Sequence, residues 1–168
     1  LEGCTTFAIH STQSYAEPFA VIDSMDEVTR AVAPHLPVDA VIQTDAFTEG
    51  RLIEHPHTLE VEAGLQGSEA AADNAYWLAR AFLAATGAIS APGADDVLDA
   101  GGREDVSVFR LRERIPKPDA EAYEVFARNF ERVEAGERFA AADGEPLLAD
   151  EPFYPVLLSP NGYRDQFG

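Results

Sequence analysis

Glu60 and Glu62 lie two residues apart in Thr58-Leu59-Glu60-Val61-Glu62. On an extended strand both carboxylates therefore leave one face, while Leu59 and Val61 leave the other. Glu62 is followed by Ala63-Gly64, small residues that let a substrate or another backbone come close. A carboxylate so placed at a strand tip suits a general base acting on water. The same spacing also describes a solvated acidic strand, and the two readings stay open at this level. His10 closes an apolar segment that starts at Cys4 and is followed by Ser11-Thr12-Gln13-Ser14. Strand C-terminal ends are where α/β sheets gather ligand-binding groups. A neutral imidazole there serves either as a zinc donor or as a hydrogen-bonded structural histidine. Arg51 stands amid Asp45, Glu49 and Glu54. Its guanidinium suits bidentate capture of a substrate carboxylate, or a surface ion pair. His55-Pro56-His57 offers two imidazoles on an extended stretch, as a metal pair or as an exposed loop. Tyr163, in the turn-rich Ser159-Pro160-Asn161-Gly162-Tyr163-Arg164, can donate its hydroxyl to a ligand or pack locally.

Other chemistries lack their motifs. There is no Gly-rich phosphate loop, no Gly-x-Ser-x-Gly, no His-Glu-x-x-His and no Cys-x-x-Cys. The single cysteine, Cys4, rules out an internal disulfide and any Cys-rich metal site. Its apolar neighbours predict a buried thiol.

Alternating strands and helices position these residues. Strands are expected over Cys4–Ile9, Pro18–Ile22, Ala40–Gln43 and Thr58–Glu62. A short helix is expected from Met25 to Ala33, capped by Ser24, and Pro34 and Pro37 stop it. A loop from Thr44 to Pro56 carries Arg51 and His55. Ser68 caps a long helix that runs to about Thr86 and ends at Gly87, with Ala72, Ala75, Tyr76, Ala79, Phe82 and Leu83 as its apolar face. This order predicts an α/β layer fold over residues 1–90. Ser90-Ala91-Pro92-Gly93-Ala94 opens a linker, assigned to 91–102. Residues 103–168 are expected to form a small β-rich domain, with strands at Val106–Arg114 and Phe153–Leu158 and a hairpin turn at Asp143-Gly144. Tyr123–Val133 fits either a strand or a helix.

The charge balance excludes some partners. The chain has 168 residues, with 30 Asp plus Glu against 12 Lys plus Arg, for a net charge of −18. Lys117 is the sole lysine. No basic stripe exists to displace the counterions of a nucleic acid, so nucleic acid is not an expected partner. No apolar run is long enough for a bilayer, so no membrane partner is expected either. Leu1–Phe7 lacks the pattern of a signal peptide, and a cytoplasmic location is expected. Dispersed acidic residues with almost no lysine fit either a salt-loaded cytoplasm, where screening relieves self-repulsion, or an ordinary acidic cytosolic protein.

In order along the chain, these segments resemble the succinylglutamate desuccinylase/aspartoacylase family of zinc hydrolases. Ile9-His10-Ser11-Thr12 resembles the strand-end histidine and hydroxyls that supply that family's third zinc ligand. Val61-Glu62-Ala63-Gly64-Leu65-Gln66 resembles its Val/Ile-Glu-Val-Gly-x-Gln segment, whose Glu is the general base, with Ala63 in place of the usual Val. Arg51 lies about one residue from the register of a substrate-carboxylate arginine. Phe153-Tyr154-Pro155-Val156, then Tyr163, resembles the C-terminal segment whose Tyr contacts substrate. The resemblance implies the second half of a zinc carboxypeptidase-like α/β sheet domain, followed by the small β-rich domain. It also implies Zn²⁺ as cofactor, a small N-acyl amino acid as substrate, His10 as metal ligand and Glu62 as base. The family's His-x-x-Glu zinc motif and Asn-Arg segment are absent and would lie upstream of Leu1. The site is therefore expected to be incomplete, and this piece inactive alone. A metallocarboxypeptidase acting on peptides is the first alternative, disfavoured by the long β-rich stretch after Glu62. A non-catalytic acidic binding module is the second.

Overall fold

A computed structural model describes residues 4–45, 47, 52–89, 106–161 and 164–167. The chain divides into two compact units, Leu1–Thr12 with Ala16–Arg112, and Gln13–Tyr15 with Glu113–Gly168. The linker expected at 91–102 lies outside the described residues.

The first unit is built on a mixed five-stranded sheet. Its strands are β1 (Thr6–Thr12), β2 (Phe19–Ile22), β3 (Ala40–Gln43), β4 (Thr58–Leu65) and β5 (Ser107–Arg110), in the order β1-β4-β2-β3-β5. β1 runs parallel to β4, β2 runs antiparallel to β4, and β3 runs parallel to both β2 and β5. The central strands are short runs of β-branched and small apolar residues, as suits strands covered on both faces. Two helices pack with this sheet, α1 (Glu27–Val32) and α2 (Glu69–Ala85), and short 3₁₀ turns lie at Ala33–His35 and Leu52–Glu54. Ile22, Val32, Leu36, Val41, Leu59, Val61, Leu78 and Phe82 belong to one buried core.

β5 corrects one sequence expectation. It pairs with β3 in register Val41↔Val108, so part of the stretch expected to build the small β-rich domain completes the first sheet instead. Alternation marks a strand but does not name its neighbour, and here the pairing is made with a strand more than sixty residues earlier in the chain.

Local signals set the helix ends, with two revisions. Ser68 caps α2 as expected, its Oγ accepting from Ala71 N at 3.1 Å. α1 is capped by Asp26 and not by Ser24, because the Asp26 carboxylate accepts from Thr29 N at 2.7 Å. The buried face of α2 is Ala71, Leu78, Ala81, Phe82 and Ala84. This is rotated from the expected one, and Tyr76 and Leu83 lie on the exposed side. The helix has apolar residues at nearly every position, so two overlapping stripes satisfy helical spacing. Burial of the larger Leu78 decides between them.

The second unit holds an antiparallel three-stranded sheet of β6 (Tyr123–Val125), β7 (Arg138–Ala142) and β8 (Glu145–Leu148), in the order β6-β7-β8. The Asp143-Gly144 turn joins β7 to β8 with both φ angles positive, +48° and +83°, as the tight hairpin requires. Asp143 also accepts from the backbone N–H groups of Glu121 and Ala122. Val133, Phe139, Ala140, Leu158 and Phe167 form its core. The strand expected at Phe153–Leu158 is reduced to one bridge, Val133↔Phe153. Pro155 has no N–H to offer a ladder and Leu157 adopts φ +55°, so pairing stops there.

Candidate functional site

β4 places the two glutamates by its pleat. Leu59, Val61 and Ala63 are buried in the core, whereas Glu60 and Glu62 are only partly buried on the opposite face. Phe7 stacks on Phe82 of α2 with ring centroids 4.2 Å apart, and Phe7 is the register partner of Leu59. Leu59 and Val61 therefore share the α2 side, and the glutamates point away from it.

Strand pairing assembles the site on that far face. His10 is the register partner of Glu62 across β1 and β4. On the other flank Glu62 pairs with Phe19 of β2. One lateral row thus reads His10, Glu62, Phe19, running from an exposed imidazole to an aromatic side chain only 1% exposed. Glu62 Oε2 is buried without a hydrogen-bond partner among the described residues. Its burial raises the Glu62 carboxyl above the ordinary glutamate value; nearby His10 opposes the rise, and the Glu60 charge adds to it. A buried carboxylate oxygen with an open lone pair beside an imidazole can accept a proton from a water or hold a polarised one.

The turn after Glu62 is held by backbone contacts. Gly64 has φ +125°, and a Cβ there would meet the Ala16 carbonyl oxygen at 2.5 Å. The glycine thus serves a close approach of backbone, one of the two uses its position suggested. Gln66 N donates to Thr12 O at 2.8 Å, and Asn74 Nδ2 of α2 donates to Ala63 O at 2.9 Å. These bonds fix the ends of β1 and β4 side by side, and with them His10 and Glu62.

The other sequence candidates divide. Arg51 and Tyr163 lie outside the described residues. Of the two loop histidines, His57 is bound to Asp26. His57 N donates to Asp26 Oδ2 at 3.1 Å, and His57 Nδ1 lies 2.9 Å from the same oxygen. Burial works against the Asp26 charge, but the bonds from Thr29 and His57 outweigh it and hold this carboxyl below the ordinary aspartate value. Asp26 thus ties the start of α1 to the entry of β4, a role without a local motif. Phe19, the apolar wall beside Glu62, also escaped sequence reasoning, because only the strand order makes it a neighbour. Cys4 is exposed and not buried, since it precedes the first paired residue of β1.

No group of three or more His, Cys, Asp or Glu side chains capable of holding a metal ion occurs among the described residues. Catalytic zinc takes three protein donors. His10 and Glu62 are two side chains, so the described residues do not by themselves form a zinc centre.

The fold defines an α/β class shared with aspartoacylase-like zinc carboxypeptidase folds. No family model and no curated protein matches the chain, and the likeness comes from solved structures. A murine aminoacylase 3 structure aligns with a TM-score of 0.62 at 17% identity, covering 94% of this chain and 57% of that one. A succinylglutamate desuccinylase/aspartoacylase from Rhodobacter sphaeroides aligns at 0.60 and 17%, covering 89% and 51%. A succinylglutamate desuccinylase from Vibrio parahaemolyticus aligns at 0.55 and 18%, covering 89% and 47%. The chain spans about half the length of these structures. At such identities the likeness is one of fold, and it agrees with the family that the Glu62 and His10 segments resemble. No helix among the described residues is long and apolar enough to cross a membrane.

Proposed function

We propose that this chain carries the base-bearing part of an amide hydrolase of the succinylglutamate desuccinylase/aspartoacylase kind, acting on a small N-acyl amino acid. The observation that carries this reading is the lateral row in which His10 stands beside Glu62, whose Oε2 is buried and unpartnered among the described residues. Glu62 takes a proton from a water molecule as that water's oxygen bonds to the amide carbonyl carbon. The proton then passes to the amide nitrogen as the carbon–nitrogen bond breaks, leaving a carboxylate and a free amine. Burial supports this role, because a carboxylate of raised pKa holds a water proton better than an exposed one does. Arg51 is assigned to the substrate carboxylate and Tyr163 to a hydroxyl contact with substrate, both on the sequence resemblance alone.

Zinc dependence belongs to the same proposal. His10 is the donor this chain offers, and further donors come from residues beyond those described. The reaction is therefore assigned to the protein in its full length, in the cytoplasm, and the 168-residue chain alone is expected to turn over no substrate. The test is hydrolysis of N-acetylaspartate and N-succinylglutamate by the full-length protein, with zinc content measured alongside. Glu62→Gln is expected to lower kcat by about 10²- to 10⁴-fold with zinc retained. His10→Ala is expected to lower zinc content as well. Unchanged turnover in Glu62→Gln would refute the assignment of the base. Turnover by the 168-residue chain alone at the rate of the full-length protein would refute the division of the site.

The second reading, a non-catalytic acidic binding module, is favoured by one observation: the described residues hold no three-donor cluster. It is supported if the full-length protein binds zinc no better than its His10→Ala variant.

A further inference from the structure

α2 has a second face that the sheet does not use. Tyr76 is 55% exposed, Trp77 49% and Leu83 39%, all on the side away from the buried Leu78 and Phe82. Arg80 lies against both rings, its guanidinium carbon 5.6 Å from the Tyr76 centroid and 5.8 Å from that of Trp77. Its Nη1 donates to the Tyr76 hydroxyl at 2.9 Å, and the two rings meet edge to face at 5.3 Å. Arg80 Nε is buried with no hydrogen-bond partner among the described residues. A Trp, a Tyr and an Arg held together on a rigid helix is the composition of an interface hot spot.

Spacing and charge name the occupant. Glu69, Asp73, Tyr76, Arg80 and Leu83 follow one another at alternating steps of four and three, the spacing of a helix–helix seam. Reversing the seam exchanges Asp73 with Arg80 and keeps Tyr76 and Trp77 at its centre. An antiparallel second copy of α2 therefore sets each Asp73 opposite Arg80 of the second copy, twice, with the aromatic side chains between them. A two-fold interface requires this self-complementarity. Within the chain neither Asp73 nor Arg80 makes an ion pair among the described residues. We propose that the outer face of α2 is a homodimer interface, in which two copies pair antiparallel about Tyr76 and Trp77. One helix pair buries less than the roughly 1,200–2,000 Å² of a standard interface, so the association is weak and concentration-dependent.

Charge exchange tests this directly. Asp73→Arg and Arg80→Asp are made separately, their folding is checked by circular dichroism and melting temperature, and association is followed by sedimentation equilibrium. Each variant alone is expected to self-associate at least about tenfold more weakly than the wild-type chain, because like charges then face each other. An equimolar mixture is expected to regain wild-type association, since both cross-contacts become Arg–Asp again. Trp77 is the only tryptophan, so its emission should shift to the blue on association in the wild type and in the mixture. Asp73→Arg also separates this pairing from general repulsion. It makes a chain of net charge −18 less negative, so repulsion alone would strengthen its association where the paired face predicts a loss. A wild-type chain that stays monomeric, single variants that associate like wild type, or a mixture that regains nothing would each overturn the proposal.

Discussion

Glu62 meets opposing demands at one position. The pleat of β4 turns it away from the α2 core, yet its carboxylate is desolvated by burial, with Phe19 its register partner on the neighbouring strand. Its folded pKa lies above its ordinary value of 4.5. The protonated carboxyl is therefore the form the fold favours. The stability it contributes is present below the unfolded value and is lost as pH rises through the folded one. Glu62→Gln keeps the shape and removes the titration. Its melting temperature, measured from pH 4 to 8, should gain on that of the wild type as pH rises from about 4.5 and then level off. A constant gap over that range would mean that the carboxylate is not desolvated. The two carboxylates of one strand face were legible in the sequence, because side-chain alternation is a property of a single strand. Which of them is dry was not, because burial depends on what the rest of the fold packs over the strand.

At the level of elements, the cap of α2 and the hairpin turn were read well, and the cap of α1 and the inward face of α2 were not. The Ser68 cap and the positive φ angles of Asp143-Gly144 act within a few residues of themselves, so their chemistry can be read locally, whereas the Asp143 carboxylate reaches Glu121 and Ala122 some twenty residues earlier. The inward face of α2 depends on which stripe of a nearly uniform Ala-rich helix fits the sheet. Leu78 is fully buried, whereas Leu83 of the same helix is 39% exposed. Leu78→Ala should therefore cost about 2–5 kcal/mol of unfolding free energy. Leu83→Ala in the monomeric chain should fall within about 0.5 kcal/mol of wild type, as ordinary surface changes do. Chemical denaturation of both variants decides the matter, and equal losses would return the helix to the face expected from sequence. The engagement of His57 by Asp26 belongs at this scale too. His55-Pro56-His57 was a spacing in one loop, but the bond that engages His57 comes from the cap of α1.

Over the whole molecule, charge dominates. A net charge of −18 on 168 residues opposes compaction in both units at low ionic strength. Raising sodium chloride from 0.1 M to 1 M shortens the screening length from about 10 Å to about 3 Å. The melting temperature should rise with it, by about 2–4 °C for each kcal/mol of repulsion relieved in a chain of this size. A flat or falling melting temperature would show that the acidic residues are already offset locally. Charge, like the α/β order of the first ninety residues and the resemblance around Glu62, is a sum or a short-range pattern, and the sequence alone determined all three. The tertiary structure alone decided that β5 joins β3, that His10 and Phe19 flank Glu62, and that α2 leaves an aromatic face outward. These are pairings between segments far apart in the chain. They are settled by which surfaces bury each other, a competition that no local spacing records.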